Sequence, residues 1–190
     1  MTNTFIMSAR QAAELDHAFE RNGWTPSEVK KLSQGDMLAK VGLVLRGQAE
    51  IIIPEHVIDL DAIPFIPQGS TVEEHHKDGQ FKWDPSIVMP LTSKKQRDGG
   101  LLRGGELRAW LKNKRAFNAN LLDYLLCHQY LIPEGWKDKY TVFLGTIYRD
   151  EAGSRYARLL FWHEAAWSWG ISDLEGVGLG SNYPVAVRVR

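Results

Sequence analysis

Among residues able to do chemistry, the densest cluster in the 190-residue chain is Glu73-Glu74-His75-His76, with Asp78 close behind. Carboxylates and imidazoles together suit zinc, manganese or iron. On a strand, however, neighbouring side chains point to opposite faces, so Glu73 with His75, or Glu74 with His76, could share an ion, but not all four. A third ligand would have to come from His56, Asp59, His163 or Glu164, and no spacing demands it. A solvated polar strand end or loop is the simpler account. No metal is expected, and a small metal-dependent enzyme built on residues 73–76 stays an alternative.

Other catalytic patterns fail on geometry. His163-Glu164 could orient an imidazole with a carboxylate, but adjacent residues rarely achieve that arrangement. A Gly-x-Ser-x-Gly elbow, a P-loop and a His-Glu-x-x-His helix are all missing from the sequence. Gly176-Val177-Gly178-Leu179-Gly180 lacks dinucleotide-loop spacing and reads as a turn between strands. Cys127 and His128 are sequence neighbours on an apolar helix, where side chains diverge by about 100°. Cys127 is therefore expected to be a buried structural cysteine. No catalytic residue and no cofactor is assigned.

Two features remain. Residues 94–115 hold Lys94, Lys95, Arg97, Arg103, Arg108, Lys112, Lys114 and Arg115 against only Asp98 and Glu106. If the chain binds nucleic acid, Lys94, Lys95, Arg97, Arg103, Arg108 and Lys112 are where phosphate contacts belong. A solvated surface balanced by the acidic stretch from Glu55 to Asp84 is the competing account. The second feature is aromatic density: Tyr140, Phe143, Tyr148, Tyr156, Phe161, Trp162, Trp167 and Trp169 fall close together. Exposed on one sheet face they would form a stacking platform, and Tyr156, Arg158, Trp162, Trp167 and Trp169 are the candidate partner-binding residues. Apolar residues on both faces of Arg155 to Trp162 equally suit a covered sheet.

The elements that must position these residues follow from caps and periodicity. Ser8 with Gln11, then Ala12, Leu15 and Phe19 on one face, predict a helix over 9–22. Thr25-Pro26 with Glu28 starts a second, facing Val29 and Leu32 inward. A third follows Gly35-Asp36, with a buried stripe of Met37, Val41 and Val44 or Leu38, Val41 and Leu45, and ends at Gly47. The turn at Gly23-Trp24-Thr25 invites a helix-turn-helix reading, but six basic and six acidic residues within 1–50 favour a generic helical cap. Five prolines make residues 51–93 strands and loops, and 94–105 reads as an exposed connection. Helices are expected near 105–113 and 119–128, the latter capped by Asn118. Thr141–Tyr148 and Arg155–Trp162 form a hairpin around Asp150-Glu151-Ala152-Gly153-Ser154, with Trp167–Ile171 and Val185–Val189 as further strands.

The expected fold class is therefore α+β, with N-terminal helices, a mixed middle and a C-terminal antiparallel sheet of three to four strands. The chain reads as one globular domain, subdivided near 1–50, 51–133 and 134–190. Lys and Arg number 23 and Asp and Glu 23, so no global charge directs it to polyanions. One cysteine suits a reducing compartment, and without a secretory pattern or long apolar run the expected setting is cytoplasmic, away from membranes.

The runs Ser8-Ala9-Arg10-Gln11-Ala12-Ala13-Glu14-Leu15-Asp16, Leu121-Leu122-Asp123-Tyr124-Leu125-Leu126, Leu131 to Lys137 and Phe143-Leu144-Gly145-Thr146-Ile147-Tyr148-Arg149 resemble a group of uncharacterised proteins of candidate-phylum bacteria. The resemblance implies a bacterial cytosolic setting and carries over no activity or catalytic residue. The sequence points to a non-enzymatic protein binding a macromolecule, a protein more than a nucleic acid, through the aromatic sheet.

Overall fold

The computed structural model describes residues 6–52 and 54–189. The chain divides into two compact units, Met1–Pro54 and Glu55–Arg190. No helix among the described residues is long and apolar enough to cross a membrane.

The first unit holds α1 (Ala9–Arg21), α2 (Pro26–Leu32) and α3 (Met37–Leu45). Local chemistry starts the first two helices: Ser8 Oγ accepts from Gln11 N at 3.2 Å, and Thr25 N donates to the Glu28 carboxylate at 2.7 Å. Pro26 takes the first helical position, where its missing N–H costs nothing. The expected buried stripes do not form. Phe19, Val29, Leu32 and Val44 are only half-buried, while Leu15, Leu38, Val41 and Leu45 are exposed. Three helices of 13, 7 and 9 residues are too short to enclose an interior.

The second unit begins with β1 (Val57–Asp59), β2 (Ser70–His75), β3 (Gln80–Lys82) and β4 (Val88–Leu91). Then come α4 (Lys94–Arg97), α5 (Gly104–Trp110), β5 (Arg115–Ala116) and α6 (Ala119–Cys127). Two 3-10 turns, Gln129–Leu131 and Glu134–Trp136, lead to β6 (Thr141–Val142), β7 (Thr146–Asp150), β8 (Arg155–His163), β9 (Ala166–Asp173) and β10 (Val185–Arg188). The class is α+β, but the sheet is larger than expected: eight strands run in the order β2-β7-β8-β6-β10-β4, with β5 on β10 and β9 on β8. The β6–β10 pair is parallel and the remaining pairs are antiparallel. β1 and β3 form a separate ribbon.

The sheet is covered on both faces, which explains why β8 reads as a nearly continuous apolar run. On one side Phe143, Leu160 and Trp167 pack with Leu121, Leu122 and Leu125 of α6 and with Ile132 and Trp136. On the other, Val142, Ala157, Leu159 and Val187 pack with Leu107 and Leu111 of α5 and with Leu102, Leu174 and Leu179. Each buried leucine of this kind contributes about 2 kcal/mol.

Segment 94–105 is not simply an exposed connection. Ser93 caps α4, and Gln96 is fully buried, donating to Gly180 O at 3.0 Å and Leu179 O at 3.2 Å. Leu102 exchanges backbone bonds with Leu179, so two glycine-bearing loops are stitched together by partners far apart in sequence. The β8–β9 hairpin closes through Glu164 and Ala165, both left-handed, with φ of 47° and 63°.

Candidate functional site

The most structured surface feature of the second unit grows from α6. Asn118 caps that helix, its Oδ1 accepting from Asn120 N at 3.2 Å, while its Nδ2 donates to Leu60 O at 2.7 Å and His76 O at 2.8 Å. Two residues on, Asn120 Nδ2 donates to Asp59 O and Ala62 O. The 60–69 loop is thus bonded along its first stretch to α6, and Pro64 is buried beneath it. From the sheet, Tyr148 Oη donates to Phe65 O at 3.0 Å and Tyr156 Oη donates to Ser70 Oγ at 2.6 Å. Burial pushes the Tyr148 phenol up to about 12, so it stays a donor at physiological pH.

At the centre stands Arg158 of β8, 1% exposed, whose guanidinium meets Asp123 of α6 at 3.0 and 2.7 Å through two nitrogens. The same cation lies 4.4 Å from the Trp169 ring centroid and 5.0 Å from that of Phe65, and these two rings meet edge to face at 6.0 Å. Arg158 Nε is buried with no partner. The cation therefore clamps one ring from β9 and one from the 60–69 loop into a fixed arrangement.

This clamp presents apolar surface to solvent. Phe65 is 53% exposed, Trp169 38%, Ile171 62% and Ile63 88%. Ile171 lies opposite Arg158 in the β8–β9 register, and Ile63 and Phe65 line a groove of about 410 Å³ with Ile58, Tyr124, Asp59 and Asp123. Beyond it, His56 Nδ1 meets Tyr124 Oη at 2.8 Å, and Tyr124 stacks on His128 at 4.2 Å. Among the described residues β9 pairs with β8 alone, leaving one edge of an eight-residue strand open beside the patch.

The five aromatic-sheet candidates are thus distributed. Tyr156, Arg158 and Trp167 are buried, Trp162 is half-buried under Lys137 at 4.2 Å, and Trp169 is exposed. Arg158 reaches the surface only through the rings it holds. Sequence reading missed Ile63, Phe65, Ile171 and Asp123. The Ile63-Pro64-Phe65-Ile66 run, apolar yet bounded by Pro67, was a usable signal. Asp123 had none, since its partner lies 35 residues away.

The 73–76 cluster is spent on structure. A β-bulge after Val72 offsets the alternation; Glu73 pairs with Arg149 at 2.8 Å, and Glu74 with Arg108 at 2.7 and 2.6 Å. His75 bonds Thr146 Oγ1 at 2.9 Å and Leu60 O at 3.2 Å, and its burial lowers its pKa. Among the described residues no three His, Cys, Asp or Glu side chains converge to hold a metal. Cys127 is exposed, not buried: Leu121, Leu122 and Leu125 define the inner face of α6, and Cys127 falls on the other. His128 Nδ1 turns back to Tyr124 O at 2.9 Å.

Of the basic window, Lys95 pairs with Glu106, Arg97 reaches Thr92 O, and Arg103 stands exposed before α5 with Lys94 exposed on α4. Arg108 and Lys112 instead line a cavity of about 290 Å³ with His75, His76, Glu74 and Lys114. No protein-family model matches the chain, and no curated protein and no solved structure matches it either.

Proposed function

We propose that the second unit is a protein-binding module that takes an extended, apolar and basic segment of a partner along β9 and the Phe65–Trp169 patch. The observation that carries this is the pre-ordered exposure of Ile63, Phe65, Trp169 and Ile171 beside an open strand edge. Hydrophobic patches held rigid at the surface mark interaction sites, because ordering costs have been met before the partner arrives. An open edge offers main-chain hydrogen bonds to an added strand. Asp59 lines the adjoining groove with no cationic partner among the described residues, Asp123 there being held by Arg158, so a Lys or Arg between apolar residues complements Asp59.

The test uses peptides of defined sequence selected from a displayed library for binding to the whole chain. Trp169→Ala and Phe65→Ala are expected to weaken the selected peptide at least about thirtyfold, as loss of a central aromatic anchor does. Each change forfeits a ring contact with Arg158 worth about 1 kcal/mol, so the variants should stay folded with slightly lowered melting temperatures; Trp167, 7% exposed, is the wrong residue for this purpose. Hydrogen exchange should slow across residues 167–173. Binding indifferent to both substitutions refutes the proposal, and a dimer dissociated by Trp169→Ala would assign the patch to a second copy instead.

A further inference from the structure

A second surface of the same unit carries a separate property. The cavity holding Arg108, Lys112 and Lys114 adjoins another of about 660 Å³ lined by Lys114, Arg115 and Arg188, with Lys114 common to both. Joined at Lys114, the two make up a basic groove with five cationic side chains. Its carboxylates are Glu74, held by Arg108, and Asp78, which serves both Arg115 at 3.4 Å and Arg188 at 3.0 Å. Three positive charges therefore lack a counter-charge in a chain whose formal net charge is zero.

The arrangement is also costly. Arg115 of β5 lies directly opposite Arg188 of β10, a like-charged cross-strand pair that destabilises a sheet. One aspartate between two guanidiniums offsets that only in part, and an anion in the groove would complete it. Lys114 extends over the half-buried Trp110 ring at 4.6 Å, a contact that holds its ammonium in place.

We infer that this groove binds the phosphate backbone of a single-stranded nucleic acid. A positively charged groove of clustered Lys and Arg that tracks the backbone holds single strands without sequence preference. The groove is walled by the end of the seven-residue helix α5, the turn after it and the strands β5 and β10, a short helix end rather than a helix long enough to lie in a duplex major groove, which favours a single strand over a duplex.

The experiment measures anisotropy of a labelled single strand of about 20 nucleotides with the whole chain. Three uncompensated charges predict an affinity loss of about twentyfold between 50 and 200 mM salt. Lys112→Glu with Lys114→Glu should weaken binding at least about tenfold, whereas Lys30→Glu with Lys31→Glu, an equal charge change in the helical unit, should leave it within a factor of two. Trp169→Ala should leave it unchanged, which separates this inference from the peptide site. Equal effects of the two lysine pairs, salt-independent affinity, no binding at 50 mM salt, or equal competition by polyglutamate would each overturn it.

Discussion

Replacing Asp123 by Ala would leave the Arg158 guanidinium buried at 1% exposure with no countercharge, holding only its ring contacts. Breaking a fully buried pair costs about 3–5 kcal/mol. Here the Asp123 side chain is 31% exposed, so water already screens part of the interaction and the expected cost falls to about 2–3 kcal/mol. Against a total stability of about 5–15 kcal/mol that is a large fraction. Urea denaturation followed by tryptophan fluorescence measures it. Arg158→Met removes the charge and keeps an apolar stem beneath Trp169 and Phe65, so the double variant should be more stable than Asp123→Ala alone, with coupling of about 1–2 kcal/mol. An Asp123→Ala cost below about 0.5 kcal/mol, or strict additivity of the two changes, would show that Arg158 is solvated in solution and that the aromatic clamp does not exist.

Four other outcomes follow from particular contacts. Glu164→Asn with Ala165→Gly places residues tolerant of left-handed backbone in the β8–β9 turn and should stabilise the protein by about 1–2 kcal/mol, read as a raised melting temperature. Gln96→Leu strands the Tyr183 carbonyl and the Ser93 N–H and takes one of two donors from the carbonyls of Leu179 and Gly180, and should cost about 2–3 kcal/mol in urea denaturation. Gly145→Ala would bring a Cβ to 2.7 Å from Asn118 N and Phe117 C, both backbone, and should destabilise by at least about 2 kcal/mol on thermal unfolding. Burial lowers the His75 pKa below its ordinary 6.5, so the unfolded chain takes up that proton first as pH falls. Stability contributed by His75 is thus complete above about pH 6.5 and is lost below it; urea midpoints at about pH 7.5 and 5.5 should converge in His75→Gln.

Local chemistry made much of the fold readable. Ser8–Gln11, Thr25–Glu28 and Asn118 cap their helices as expected because each cap is settled within three residues. The Asp150–Ser154 loop closes its hairpin through Ser154 N donating to Asp150 Oδ1 at 2.8 Å, again a local bond. The site was readable only in part. Trp169 and Arg158 stood out by type, and residues 108–114 by charge, but their exposure did not. Alternation along β8 names two faces without saying what covers either, and helical periodicity in α3 names a stripe without a partner to bury it.

What the sequence by itself determined, then, is five of the six helices, the hairpin around Asp150–Ser154, the α+β class and the clustering of charge and aromatic residues, because these depend on neighbours within a few positions, whereas α4 and the break between β6 and β7 did not show. Tertiary structure alone decided that Arg158 is buried while Trp169 is not, that Phe65 joins them, and that Arg188 completes the basic groove. Those outcomes rest on contacts such as Tyr148 with Phe65 and Tyr156 with Ser70, 83 and 86 residues apart, and on Arg188 with Asp78, 110 apart. Pairings at such separation follow from how the sheet closes over α6, which no window of sequence contains.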